Sequence, residues 1–364
     1  MPGNGLRVLV THERFLPEFA GGCEYGVWRM ARGLRERGAA VRIVTTGDPA
    51  LESYDGLETV RLRMHRYRMN LAARRIAEYA RGADLIQTAN YHAALPSYLA
   101  GRRLGKPVVL LVTALCGKAW LEMRGAALGR AWAAWERRLM RLEFHRIVFP
   151  SEHALKMGLE MGIARERCTV IAPGIEHGKF RPGEKTREVL FVGKFERRKG
   201  VYDILEAARA LPGIPFRLQG WGPEEAELRR SAPPNATIET APPGCVMEPD
   251  GGAAARALAG ASIFLLPSRA ESFGLAAVEA MASGCAIVST VPLEYQGVRV
   301  AAGDPTAIAA AVRGLWSNPE RTAEMGRRNA ALAAQYSWER FTARLLDVYD
   351  GILGRAPSRE ECHA

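Results

Sequence analysis

Two glutamates separated by seven residues, Glu271 and Glu279, frame the stretch of this 364-residue chain best suited to chemistry, Pro267 to Gly284. An apolar run, Ser262 to Leu266, feeds a loop, and the loop feeds a helix expected at Leu275 to Ala282. Phe273, Gly274 and Leu275 fall at the helix start, where backbone N–H groups lack intrahelical acceptors and the dipole is positive. Such a terminus suits a phosphate. Gly274 has no Cβ, so a ligand can approach the backbone closely there. Glu271 stands just before the helix and Glu279 about one turn inside it, on the face toward the strand ends. Carboxylates so placed accept hydrogen bonds from two sets of hydroxyls, as a sugar and a ribose present.

A second group lies at Val192 to Gly200, after a strand and before a helix. A nucleoside diphosphate leaving a sugar carries away negative charge, and that charge must meet a metal or fixed cationic side chains. Lys194 and Lys199, behind Gly193, supply cations without a metal. Arg197 and Arg198 read as a solvated basic turn. The pair Gly21-Gly22 before an N-terminal helix lets amides approach a diphosphate. Gly222 sits in the turn Gly220-Trp221-Gly222-Pro223.

These groups need a scaffold of alternating strands and helices. Leu6–Val10, Glu24–Arg37 and Val41–Thr45 read as strand, helix and strand, with Gly38 closing the helix. Strands follow at Leu57–Leu62, Asp84–Thr88, Pro107–Val112 and Arg146–Pro150, then a helix at Glu152–Met161 and a strand at Val170–Ala172. A linker rich in Gly, Pro and charge, Pro173–Lys185, precedes a second series: strands at Val189–Val192, Phe216–Gln219, Ser262–Leu266 and Ala286–Ser289. Helices are expected at Tyr202–Leu211, Thr306–Trp316, Pro319–Gln335 and Trp338–Leu353. The pattern predicts two Rossmann-like, doubly wound α/β domains, 1–175 and 176–336, with 337–364 as a last helix and tail. Two such domains facing each other would bind ligand at the C-terminal edges of their sheets.

Composition narrows the classes. Hydrophobic residues make up 48% and charged residues 24%, as in soluble globular proteins. The start, Met1 to Gly5, lacks a signal-peptide pattern, and the apolar run Pro107–Cys116 is too short to span a bilayer. Cys23, Cys116, Cys168, Cys245, Cys285 and Cys362 form no C-x-x-C pair, which argues against a zinc site or a disulfide framework and for a reducing cytoplasm. Residues 1–180 hold 28 Lys and Arg against 17 Asp and Glu, whereas residues 181–364 hold 22 of each. The surplus includes Arg61, Arg63, Arg66, Arg68, Arg74, Arg75 and then Arg130, Arg137, Arg138, Arg141, Arg146. It suits an anionic partner such as a membrane surface or a phosphorylated acceptor, or it is a solvated arginine-rich face.

The segment P-S-x-x-E-S-F-G-L followed by E-A-M-A-S-G resembles the E-x7-E signature of retaining GT-B glycosyltransferases, particularly the family 4 group. That resemblance makes Glu271 the contact to donor-sugar hydroxyls and Glu279 the holder of the ribose. Gly193 to Gly200 is similar to the family's G-R-…-K-G loop, with Lys194 where Arg is usual. Pro17 to Glu24 resembles its P-x-x-G-G-x-E loop. Ser151–Pro182, Phe216–Pro223 and Ser337-Trp338 resemble its interdomain link, its glycine turn and the start of a helix crossing back to the first domain. The likeness runs from Leu6 to about Leu353. Departures occur where the family often carries a His after a strand: Thr113 takes that position, and His92 at the neighbouring strand end is the candidate substitute. Thr237–Asp250 matches poorly, and the usual G-G-x-x-E is contracted to Val291–Gly297.

The resemblance implies transfer of a sugar, with retention, from a nucleoside-diphosphate sugar (UDP or GDP as the nucleotide) to a glycan, lipid-linked or small-molecule acceptor. No cofactor or metal is implied. The expected location is the cytoplasm, with peripheral contact to the inner membrane face through the basic first half. Alternatives are a nucleotide-sugar epimerase of the same fold and a non-catalytic sugar-nucleotide-binding protein. Nucleic acid is not an expected partner, because stacking motifs of known RNA modules are absent.

Overall fold

The computed structural model describes residues 5–19, 21–241 and 252–355. Ala20, Cys245, Cys362 and residues 242–250 of the poorly matched Thr237–Asp250 stretch lie outside the described residues. The chain divides into two compact units, one of residues 1–117, 131–174 and 338–364, the other of residues 118–130 and 175–337.

The first unit is built on an eight-stranded sheet. Its strands are β1 (Arg7–Thr11), β2 (Ala40–Thr46), β3 (Ser53–Tyr54), β4 (Leu57–Leu62), β5 (Leu85–Ala89), β6 (Val108–Leu111), β7 (Arg146–Phe149) and β8 (Cys168–Val170). They are ordered β3-β4-β2-β1-β5-β6-β7-β8, parallel throughout except for the short β3–β4 pair. Helices α1 (Gly22–Glu36), α2 (Ala73–Ala80) and α3 (Ala94–Leu104) belong to this unit. In chain order, α4 (Ala119–Arg124) lies in the second unit, α5 (Ala126–Met140) starts in the second and ends in the first, and α6 (Glu152–Glu160) returns to the first. The β-branched and leucine runs are buried on both faces, as parallel strands require. Gly38 at φ 85° donates its N–H to the Arg35 carbonyl and closes α1.

The second unit carries a six-stranded, all-parallel sheet: β9 (Thr186–Lys194), β10 (Phe216–Trp221), β11 (Ala236–Thr240), β12 (Ala261–Leu266), β13 (Ala286–Ser289) and β14 (Gly297–Arg299), in the order β11-β10-β9-β12-β13-β14. Helices α7 (Val201–Arg209), α8 (Glu225–Ser231), α9 (Gly252–Gly260), α10 (Leu275–Ala282), α11 (Pro305–Trp316) and α12 (Pro319–Ala333) connect them. Asp304 and Asn318 cap α11 and α12, each followed by a proline in the first turn. Strand β9 begins three residues before the predicted Val189, because Thr186 and its neighbours extend the ladder beside Ala261.

The last helix, α13 (Trp338–Leu353), packs in the first unit although it ends the chain. Trp338 meets Tyr25 edge-on at 6.3 Å, and the buried Tyr349 hydroxyl donates to Gln87 at 2.6 Å. Among the described residues no helix is long and apolar enough to cross a membrane, and Cys168 and Cys285 are buried free thiols.

Part of the basic surplus is internal. Arg61, expected in a surface cluster, is fully buried: it pairs with Glu18 at 2.7 Å, and its guanidinium also donates to the carbonyls of Leu16 and Leu51. A buried charge persists only when so thoroughly paired.

Candidate active site

Strands β9 and β12 are parallel neighbours, so the loops leaving their C-terminal ends run side by side. Three contacts tie those loops together. The Arg269 amide donates to the Arg198 carbonyl at 2.7 Å, the Arg198 guanidinium donates to the Ala270 carbonyl at 3.4 Å, and Lys199 forms an ion pair with Glu271. Gly200 must be glycine here. It lies at φ 72°, and a Cβ would sit 2.3 Å from the Pro267 carbonyl oxygen.

The loops hold a ladder of opposite charges. Burial raises the Glu271 carboxyl pKa, but Lys199, Arg198 and the Ser272 amide outweigh it and hold the group below its ordinary value. Glu196 behaves likewise: burial opposes ionisation, while Arg198 at 2.6 Å and Lys194 at 2.5 Å enforce it. Lys194 also lies over the Trp221 ring at 5.1 Å. Lys194 is thus a paired cation. Arg198, expected in a solvated turn, is a partly buried strut between the loops, because both its guanidinium and its carbonyl find partners across the gap. Arg197 is exposed, stacked at 4.9 Å on Tyr202 and 3.4 Å from Glu224.

Helix α10 begins one residue after Gly274, whose φ of 91° is a left-handed conformation that favours glycine. The Gly274 carbonyl accepts from the Ala277 amide at 2.9 Å, which leaves the Leu275 and Ala276 amides without an intrahelical acceptor. The Phe273 side chain is buried against Tyr336, 5.7 Å between ring centres, so the backbone of this turn is what remains for a ligand. Glu279 has no hydrogen-bond or ion-pair partner among the described residues, and burial pushes its pKa from 4.5 up to about 7. A carboxylate taken from water without a partner is destabilised until hydroxyls or cations reach it.

The two remaining glycines of this unit have packing reasons. Gly222, at φ 155°, would place a Cβ 2.4 Å from the Phe195 carbonyl oxygen; a Cβ on Gly193 would come 3.1 Å from the Phe191 ring. Both let the β9 and β10 ends pass closely.

In the first unit, Gly21 caps α1 with extended backbone and Gly22 opens the helix. A Cβ on Gly22 would meet nothing within 4 Å, so space lies open before that turn. His92 follows β5 and Thr113 follows β6, the adjacent strand. Thr113 is held by Asn90, whose Oδ1 accepts from its amide at 2.8 Å and its hydroxyl at 3.1 Å. The His92 ring is buried near Tyr67 and Trp132, and its Nδ1 lies 2.9 Å from the Asn70 amide nitrogen. With Nδ1 accepting from Asn70, the proton of the neutral ring sits on Nε2. Burial keeps this imidazole below its ordinary pKa, with Glu13 opposing the shift.

Sequence reasoning missed several residues gathered here. Glu13 accepts from the His92 amide at 2.7 Å. Glu136 accepts from the Tyr91 hydroxyl at 2.6 Å and from the amides of Cys116 and Gly117 at 3.0 and 2.7 Å. The run His12-Glu13-Arg14 directly after β1 was the available signal for the first; nothing local marks Glu136, which acts across chain segments. Among the described residues no three His, Cys, Asp or Glu side chains converge as a metal site.

The site in the second unit combines unsatisfied helix amides, fixed cations, a salt-bridged acid and an unpartnered acid. It can hold an anionic group beside hydroxyls.

Residues 20–179 match the family model Glycosyltransferase Family 4, and residues 186–318 match Glycosyl transferases group 1. A D-inositol 3-phosphate glycosyltransferase of Segniliparus rotundus is 32% identical over 222 residues, 52% of this chain and 48% of that protein. One from Mycolicibacterium paratuberculosis is 32% identical over 213 residues, 50% of this chain and 47% of its own. The matched region thus spans about half the length of these curated relatives. Among solved structures, sucrose-phosphate synthase from Thermosynechococcus elongatus superposes with a TM-score of 0.78 at 18% identity, over 96% of this chain and 99% of its own. Anabaena HepE in complex with UDP-glucose gives 0.76 at 16%, over 95% and 100%. At these identities the superpositions establish the fold.

Proposed function

Because the chain belongs to the GT-B glycosyltransferases of the family 4 type, we propose that it is a retaining glycosyltransferase using a nucleoside-diphosphate sugar. The observation that carries this reading is the Lys199–Glu271 pair bridging two strand-end loops beside the open α10 terminus, with Glu279 left unpartnered. The α10 amides, Lys199 and Lys194 meet the diphosphate. Glu271 takes hydroxyls of the donor sugar, and Glu279 takes the ribose. The curated relatives named for a D-inositol 3-phosphate activity and the UDP-glucose complex of a like fold support a sugar-nucleotide donor.

In the proposed reaction the acceptor hydroxyl oxygen bonds to the anomeric carbon on the face from which the diphosphate departs. The acceptor proton passes to the departing phosphate oxygen, so no protein base is required. Lys199 and the helix amides stabilise the charge that develops on the leaving group, where fixed dipoles are most effective. Side chains supply this charge without a metal. In the first unit, the Gly21-Gly22 amides serve a diphosphate and His92 serves the acceptor. Exposed Arg63, Arg68, Arg137 and Arg138 suit peripheral contact with an anionic membrane face; equal sedimentation with neutral and anionic vesicles would exclude that.

The test is a panel of UDP-, GDP- and ADP-sugars with mixed acceptors. Release of nucleoside diphosphate that depends on acceptor, and a fall of at least about a hundredfold in Glu271→Gln, are expected. No binding of any donor would remove the reading, and donor conversion without acceptor would indicate an epimerase.

A further inference from the structure

The first unit contains a cluster that neither the fold nor the donor site uses. Arg14 is half-buried, and among the described residues its guanidinium has no hydrogen-bond or ion-pair partner. Its Cζ lies over the Phe19 ring, 4.0 Å from the ring centre. Arg66 lies over the Tyr67 ring at 4.7 Å, donates to the Tyr67 hydroxyl at 2.9 Å, and keeps its buried Nε without an acceptor. Among the described residues its carboxylate neighbour is Glu13, whose Oε1 makes only a long contact at 3.9 Å while its Oε2 accepts from the His92 amide. Glu24, in the first turn of α1, attracts Arg14 from outside hydrogen-bonding reach.

Two further features complete the cluster. Asn70 donates to the Tyr67 carbonyl and faces His92, but its buried side-chain oxygen accepts nothing. Phe19 and Tyr67 are 40% and 41% exposed, with Trp132 beside Tyr67 at 6.3 Å. The unmatched groups are therefore guanidinium donors and one amide acceptor, beside the partly exposed Phe19 and Tyr67 rings. A phosphoryl group matches the guanidinium forks, a hydroxyl matches the Asn70 oxygen, and a sugar or cyclitol ring matches the aromatic faces.

We propose that Arg14, Arg66 and Asn70 form a binding site for a phosphorylated polyol or sugar, with the two arginines on its phosphoryl group. The assignment of this ligand as the acceptor rests on the transferase reading; the binding itself does not. Burial and the Arg66 charge both depress the Arg14 pKa, so an anion between the two guanidiniums would relieve their repulsion.

The experiment is calorimetric binding to the full chain, without donor, of matched pairs: glucose 6-phosphate with glucose, and inositol monophosphate with inositol. A parallel arm uses phosphatidylcholine vesicles with and without phosphatidylinositol. At least one phosphorylated ligand is expected to bind tenfold or more tightly than its alcohol. Arg14→Met should erase that preference while keeping the stacked stem, and Arg14→Lys should restore part of it. Arg321→Met, an exposed arginine of α12 in the other unit, should leave it unchanged. A preference confined to the vesicles assigns a lipid headgroup; one confined to the soluble pairs assigns a free sugar phosphate. Equal binding within every pair, or a preference that survives Arg14→Met, overturns the proposal. If the preference holds while no sugar nucleotide is turned over, the transferase reading fails and the phosphate site stands.

Discussion

Glu279 offers a measurement that separates a donor-binding acid from a merely buried one. Its carboxyl titrates near 7 in the folded chain, against 4.5 ordinarily, and burial is the cause. Below about pH 4.5 the group is neutral whether folded or unfolded and has no effect on stability. As pH rises from there, the unfolded chain ionises and the folded chain retains its proton, so stability falls until about pH 7, where the loss levels off. The full difference corresponds to about 3 kcal/mol at most, at 1.36 kcal/mol per pH unit. Glu279→Gln removes this dependence: the variant should gain on the wild type progressively between pH 5 and pH 8. Ligand binding carries the sharper signature. Ribose hydroxyls donating to Glu279 require the carboxylate, so binding a nucleotide sugar should expel a proton. With a pKa of about 7, the release is about 0.9 proton at pH 6, about 0.5 at pH 7 and near zero at pH 8.5. Calorimetry in buffers of different ionisation enthalpy counts these protons. The Glu279→Gln variant should show weakened binding and no such release. Identical proton counts in the two proteins would refute the role of Glu279 at the ribose.

Lys199→Met leaves the Glu271 carboxylate without its principal cation and should cost about 2–3 kcal/mol, below the range for fully buried pairs because both side chains keep some exposure. Adding Glu271→Gln should recover most of that stability in denaturant titrations but none of the transfer activity; recovered activity would deny both residues their proposed roles. Gly222→Ala should destabilise the second unit by about 1–3 kcal/mol or more, through backbone strain and the clash with the Phe195 backbone, read as a lower melting temperature. Glu136→Gln breaks a buried carboxylate that holds two amides and the Tyr91 hydroxyl, at about 1–3 kcal/mol, and should speed modification of Cys116 by thiol reagents. An unchanged rate would show that the Cys116–Gly117 loop is held by other contacts.

The architecture was legible wherever a strand is a short apolar run and a helix has a marked end. Leu275–Ala282, Ala286–Ser289 and Trp338–Leu353 match their predicted limits because a loop glycine, a flanking cysteine and Ser337 punctuate them. The parallel α/β alternation followed from those elements. Helices α3, α5 and α9 escaped notice because alanine, glycine and arginine dilute their apolar stripes, and β11 and β14 because their sequences carry too few apolar residues. The candidate donor site was legible as a set of residue types, since Glu271, Lys199 and Gly274 sit in contiguous motifs. Its electrostatics were not. Whether Arg198 is solvated or wedged between loops depends on Ala270 and Arg269, about seventy positions away. The burial of Arg61 against Glu18 is likewise a long-range fact, invisible in a count of charges.

Lys194 shows how such pairing bears on function. Its ammonium is held by Glu196, and Glu196 also holds Arg198. A diphosphate that recruits Lys194 must therefore draw it off a carboxylate, and Arg198 remains to keep Glu196 ionised after the exchange. The residue type matters in this step. An arginine at position 194 could grip Glu196 through two parallel N–H bonds, and its release would cost both. Lysine grips as a point charge on a flexible stem, and the Trp221 ring beneath the ammonium supports the cation while it changes partners. On the proposed reading, lysine in place of the arginine usual in the family trades bidentate geometry for an easier transfer of charge from carboxylate to leaving phosphate. Lys199 is the contrasting case: its partner Glu271 is itself a proposed donor contact, so that pair can receive the sugar and the phosphate without being dismantled.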